Sequence, residues 1–342
     1  MNRTARRLLP VLAPVGALAL LLTGCASGGD TAAGGSGSTK VAAVIKGLDN
    51  PFFQAMENGI EDTAQDDSVD VSVQAAADIG DTTGQADKLT TVAGQDFGCL
   101  IVNPISGTNL VQALASATGK TIVIIDSPLD PDAVEAANLD VTTYIGTDNE
   151  AAGGKAGDFL LQRLPAGSEV AVIGGVSGDV TSAARVDGFT AAIGSDLTVV
   201  QEAAADWKRE VALTKATDIL AANPDVKAFF AANDDMGLGI VKAVENAGLT
   251  GSVQVVSVDG NEDALQSVKD GGLTATVAQY PYAIGQLGVQ ACEAVGAGEE
   301  IPAEIESPTA LVTSETAEQA LGAFPQPFEE FDNPLAALVP GK

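Results

Sequence analysis

The chain repeats itself. A β-branched run opens at Val41 and another at Val170; Asn103 and Asn233 each close such a run, as do Asp126 and Asp259, and the members of each pair lie about 130 residues apart. A repeat of that length implies two domains of one architecture. Within each half, short apolar runs alternate with amphipathic stretches. Strands are predicted at residues 41–45, 69–74, 99–102 and 121–125, with helices at 51–64, 85–94 and 107–118. The second half repeats the rhythm, with strands at 170–173, 198–201, 226–230 and 253–258, a helix containing 185–193, and helices at 211–222 and 237–247. The runs lack strict alternation, as strands do when both faces are buried. The predicted class is therefore α/β: two Rossmann-like lobes with parallel sheets and a ligand cleft between them.

Composition narrows the chemistry. The chain has no histidine, which removes Ser-His-Asp and Cys-His nucleophiles and the commonest zinc ligand sets. A formal net charge of −29 repels phosphate backbones, so no nucleic-acid partner is expected. No metal site, cofactor or activated nucleophile can be read, and a binding protein is expected rather than an enzyme.

The first residues read as an address. Arg3, Arg6 and Arg7 precede an apolar run over residues 8–22, too short to span a bilayer comfortably and right for a signal segment. It ends Leu22-Thr23-Gly24-Cys25. That ending resembles the lipobox of bacterial lipoproteins, which implies a signal peptide over 1–24 and lipidation of Cys25. Residues 25–39, rich in Gly, Ser, Thr and Ala, read as a flexible tether. The expected location is the outer face of the cytoplasmic membrane, with the lipid as the only membrane contact.

Polar residues gather where strands end, the side on which open α/β sheets bind ligands. After the first strand come Lys46 and Asn50-Pro51-Phe52-Phe53; later strands end in Asn103-Pro104, Asp126-Ser127, Asn233 and Asp259-Gly260. Each taken alone also reads as a helix cap or an ordinary turn. Together they converge on one cleft. Aromatics are only 4% of the chain, yet Phe52, Phe53 and Trp207 fall on the same side. Rings that cover C–H faces, with Asp, Asn, Gln and Arg to pair hydroxyls, suit carbohydrate capture.

These residues resemble a known family. Residues 47–53 (Gly-Leu-Asp-Asn-Pro-Phe-Phe), 102–104, 181–185 with Gly188-Phe189, 230–236, 258–260 and 275–279 are similar, in order and spacing, to the ribose-binding group of bacterial solute-binding proteins. The resemblance covers roughly residues 40–320 and implies a receptor that hands a sugar or sugar alcohol to ABC transporter permease subunits. A signal or chemoreceptor for a furanose-like molecule is the alternative. It further implies three hinge crossovers, an N-terminal lobe of 40–147 plus 280–306, a C-terminal lobe of 148–279 plus 307–322, and a monomer.

By position, Asn50 is expected to bond a hydroxyl, Phe52 and Phe53 to stack on the sugar, and Asp126 to bind a pair of hydroxyls. Arg185, Trp207, Asn233, Asp259 and Gln279 would serve from the second lobe and the hinge edge, with Asn103 in the first. Asp126 and Arg185 are expected to bind ligand rather than to hold the fold. The group's ribose receptors carry serine where this chain has Lys46 and arginine where it has Ser127. That exchange points to a related pentose, hexose, furanose or polyol, with Lys46 either touching ligand or pairing with an acid. Cys99 and Cys292 both fall in the first lobe, as a disulfide or as two buried thiols. The extension 323–342 has four prolines and no functional reading; it wraps the surface or is partly disordered.

Overall fold

The computed structural model describes residues 40–340, so the signal, Cys25 and the tether lie outside the described residues. The chain runs β1 (Val41–Ile45), α1 (Pro51–Asp67), β2 (Val71–Ala75), α2 (Thr82–Ala93), β3 (Cys99–Val102), α3 (Val111–Ala115), β4 (Thr121–Ile125), α4 (Pro131–Ala136) and β5 (Thr143–Gly146). It continues α5 (Asn149–Leu161), β6 (Glu169–Gly174), α6 (Val180–Ile193), β7 (Thr198–Ala204), α7 (Arg209–Ala222), β8 (Ala228–Ala231), α8 (Asp234–Asn246), β9 (Gln254–Asp259), α9 (Glu262–Asp270) and β10 (Ala275–Gln279). Last come α10 (Pro281–Gly296), β11 (Glu304–Glu306), β12 (Thr309–Thr313) and α11 (Ala317–Ala323).

The described strands form two six-stranded sheets, ordered β11-β5-β4-β3-β1-β2 and β12-β10-β9-β8-β6-β7. The strand order is the same in both halves, the structural counterpart of the repeat. The chain passes from one sheet to the other after β5, after β10 and after β11. One pairing departs from the expected parallel sheets: β12 runs antiparallel to β10. Only two residues separate β12 from β11, too few for the crossover that a parallel return requires.

Register explains why the strands read as unbroken apolar runs. Val41 pairs with Cys99, which pairs with Thr121, and the side chains then alternate between two cores. Val41, Ala43, Ile45, Ile101 and Ile125 enter the cluster that Met56 and Ile60 of α1 and Leu287 of α10 complete. Ala42, Val44, Leu100, Val102 and Ile124 enter a second cluster with Leu89 of α2 and Leu114 of α3. Both faces are covered by helices, so alternation carries no polar residue.

Helix starts are fixed by side-chain caps. Asn50, Asp148, Asp179 and Asn233 each accept a backbone N–H of the first turn of α1, α5, α6 and α8. One expected helix differs. The predicted helix over 107–118 shrinks to α3, because Ser106 and Asn109 bond each other's backbone N–H and take the chain out of helix. Helix α6 contains the expected 185–193 and starts at Val180, where Asp179 caps it.

Cys99 on β3 and Cys292 on α10 are joined by a disulfide that closes 193 residues of sequence. It ties α10, which follows the second sheet in sequence, back onto the first. Replacing both cysteines with alanine should lower unfolding stability by roughly 2–4 kcal/mol. Urea denaturation checks this, and an unchanged midpoint would mean the bridge constrains nothing.

Candidate functional site

The carboxyl ends of both sheets open into one cavity of about 420 Å³, within the usual range for a small-molecule site. Lys46, Asn50, Phe52, Phe53, Asp126 and Ser127 line it from the first lobe; Arg185, Trp207, Asn233 and Asp259 line it from the second. Ile79, Gly80, Thr82, Ile105 and Ser106, with residues 176–179 and Thr181, complete the wall. Apart from Thr181, which opens a motif already quoted, the sequence did not point to that rim, because most of it is loop, where residue types carry no signature.

The first lobe builds its half around an ion pair. Lys46 Nζ lies 3.2 Å from Asp126 Oδ2 and donates to Ser127 Oγ at 2.6 Å. Ser127 Oγ in turn donates to Asp126 Oδ2 at 3.1 Å. The ammonium sits 5.2 Å from the centre of the Phe53 ring. Asp126 has φ of 63°, a left-handed conformation that costs an aspartate about 1–3 kcal/mol unless held. Strand β5 holds it: the Asp126 N–H bonds Ile145 O, and Tyr144 Oη donates to Asp126 O at 2.8 Å. Burial and the nearby Asp126 charge push the Tyr144 phenol up, so it remains a donor.

The second lobe repeats the device with different residues. Arg185 Nη1 lies 3.2 Å from Asp259 Oδ1 and donates to Ala232 O at 2.7 Å. Its Nε donates to Asn149 Oδ1 at 2.8 Å, and its guanidinium carbon lies 5.7 Å from the Trp207 ring. Gln279 Nε2 donates to Asp259 Oδ1 at 2.9 Å. Asp259 also takes positive φ, 142°, and the turn after it is held by Asp234. The Asp234 carboxylate accepts from Gly260 N, Asn261 N, Ser257 Oγ and Thr276 Oγ1. Burial pushes the Asp234 carboxyl up to about 6, against the hydrogen bonds from Ser257, Thr276 and Asn261. Burial pushes Asp259 up as well, and the Arg185 guanidinium is the charge that works to keep it ionised. Trp207 and Asp206 both have positive φ, and the indole lies against Gly175, where any Cβ would collide with it.

Ten of the twelve residues proposed from sequence therefore line one cavity, and two do not. Asn103 is fully buried and does not line it; its O accepts from Gln85 and its Nδ2 reaches Met56 Sδ. Gln279 stands behind Asp259. Arg185 differs from expectation in another way: its bonds to Asn149, Ala232 and Asp259 make it part of the fold as well as of the cavity wall. Asn149, Tyr144 and Asp234 were not singled out from sequence. Asp234 stands beside Asn233 in the quoted motif, so its position was in view, but its four partners lie on β9, β10 and the turn after β9.

The comparisons agree with this geometry. Residues 41–300 match the family model of the periplasmic binding protein domain. The D-allose-binding periplasmic protein of Escherichia coli K12 is 38% identical over 271 residues, covering 78% of this chain and 87% of that protein. The ribose import binding protein RbsB of Bacillus subtilis 168 is 33% identical, covering 79% of this chain and 85% of its own. The solved solute-binding protein of an ABC transporter from Actinobacillus succinogenes 130z, with bound D-allose, superposes with a TM-score of 0.77 at 31% identity. That alignment covers 82% of this chain and 99% of the other. The repeated sheets, the cavity at their carboxyl ends and these matches together place the chain in the periplasmic binding protein family.

Proposed function

We propose that this chain is the extracytoplasmic receptor of an ABC importer, a monomer that binds a neutral monosaccharide or sugar alcohol. The observation that carries the reading is the pair of self-neutralised clusters facing each other across the cavity. Lys46 with Asp126 and Arg185 with Asp259 cancel within each cluster, and Asp179 on the wall leaves the lining with one formal negative charge. An anionic ligand gains no net attraction there, and the chain's charge of −29 opposes it. In each pair the cation and a neighbouring polar side chain bond the same carboxylate oxygen, Oδ2 of Asp126 and Oδ1 of Asp259. Both carboxylates still line the cavity, where they can accept ligand hydroxyls, and a carboxylate accepts only from a donor. Asn50 and Asn233 spend Oδ1 on capping their helices, which leaves each Nδ2 as a donor. Phe52, Phe53 and Trp207 supply faces for C–H surfaces. D-allose and ribose, named for the relatives, are neutral compounds of this kind.

Nothing in this reading asks for catalysis: every polar group of the cavity binds or orients. Lobe closure over the sugar would signal occupancy to the permease. The leader ending at Cys25 supports lipid anchoring outside the cytoplasmic membrane.

Calorimetric titration with aldopentoses, aldohexoses, their polyols and the matching uronic acids tests the ligand class. A neutral compound should bind, and Asp126→Asn should weaken it by about 1.5–3 kcal/mol with the melting temperature largely kept. Arg185→Gln should lose both affinity and stability, since it strands Asp259 in a buried site. Tight binding of a uronic acid with no response to any neutral compound would overturn the proposal. For the anchor, Cys25→Ala should move the protein from the membrane fraction to the soluble one; a variant that stays with the membrane refutes lipidation.

A further inference from the structure

The twelve strands of the two sheets end at β12, yet the chain continues, and its last described residues are not a loose tail. Phe324 and Phe328 pack against the hydrophobic core of the second lobe. Phe328 meets Tyr280 edge-on, with ring centres 6.5 Å apart, and its carbonyl accepts from Gln319 of α11. A few residues later the same segment belongs to the other lobe. Leu335 is fully buried in the first lobe's core, and Leu338 packs against it. Asn333 Nδ2 donates to Gln290 of α10 at 2.9 Å while its Oδ1 caps the turn at Leu335 N. Phe331, between them, packs against both cores.

We infer that residues 324–340 form a strap that holds the two lobes in the arrangement where both enclose the cavity. The three connections between the sheets are covalent and run through short turns, around which lobes can rotate. The strap adds a fourth connection made of apolar contacts, which a rotation must strain or break. Its apolar anchors, Phe328 on one side and Leu335 on the other, lie only a few residues apart. That leaves little slack, and Phe331 cannot keep both of its contacts once the cores separate. The strap also reaches the cavity indirectly: Phe328 lies on Tyr280, next to Gln279, whose Nε2 bonds Asp259. Phe331 therefore acts as a positioning residue that touches no ligand. The inference rests on the cleft described above but not on the identity of its ligand.

The test reads the lobes directly, without ligand. In the full chain carrying Cys25→Ser, spin labels are attached through Asp87→Cys on α2 and Glu202→Cys on β7, both exposed and on opposite lobes. Their separation is measured by pulsed dipolar spectroscopy. Phe331→Ser and a chain ending at Glu330 should shift the distribution to longer separations and broaden it relative to the parent. The same distribution in Phe331→Ser as in the parent would overturn the strap, including the case in which the shortened chain fails to fold. Since no sugar enters the measurement, failure of the ligand proposal leaves this result unaffected.

Discussion

Two buried cation–carboxylate contacts, one in each lobe, are what the rest of the site is arranged around. A charge removed from water is costly unless it is paired and its remaining valences are bonded. In both pairs the cation and a neighbouring side chain hold one carboxylate oxygen, and the aspartate still lines the cavity. Ser127, Gln279, Asn149 and the Ala232 carbonyl saturate the protein side. On the proposed reading, a ligand rich in hydroxyls would finish the other side. The aromatic rings beside each cation, Phe53 and Trp207, attract it and shield it from water at the same time.

That arrangement demands backbone in unusual places. Asp126, Trp207 and Asp259 all have positive φ, and each is held there by its surroundings: β5 around Asp126, Gly175 under Trp207, Asp234 behind Asp259. Strain of this kind concentrates at binding sites because a carboxylate at a regular strand end would continue along the strand and not turn across the cleft. The cost is borne by two well-packed lobes, one of them tied by the Cys99–Cys292 bridge. Helices α5 and α6 meet closely because Gly153 and Gly188 have no Cβ to strike Arg185 O and Glu150 O, which fixes the depth at which Arg185 enters. Asn149 joins that helix pair to the first crossover, so the arginine that lines the cavity is also bonded to a residue at the hinge.

Much of the fold was legible in the sequence, because the repeat and the unbroken apolar runs of buried parallel strands are one-dimensional signals. Helix α5 was not read, since Asn149–Leu161 is rich in Gly and Ala and shows little contrast between its faces. The cavity wall was legible wherever a chemically loud residue ended a strand. Lys46 could not be settled, because its partners Asp126 and Ser127 lie 80 and 81 residues away and only the sheet brings them together. Asn103 misled for the opposite reason: a strand-end asparagine looks the same from sequence whether it faces a cleft or the core beneath it. The C-terminal extension hid its role entirely, because four prolines and a few scattered apolar residues describe a disordered tail as well as a strap. What distinguishes them is burial of Leu335 in the core of the first lobe, which depends on that lobe being present.

A crystal structure of the protein with the compound that calorimetry retains would test the central claim most directly. The account predicts a neutral ligand whose hydroxyls donate to the carboxylates of Asp126 and Asp259, with its C–H surface between Phe53 and Trp207 and both ion pairs intact. A ligand anion bound to Lys46 or Arg185 in place of its aspartate would contradict it.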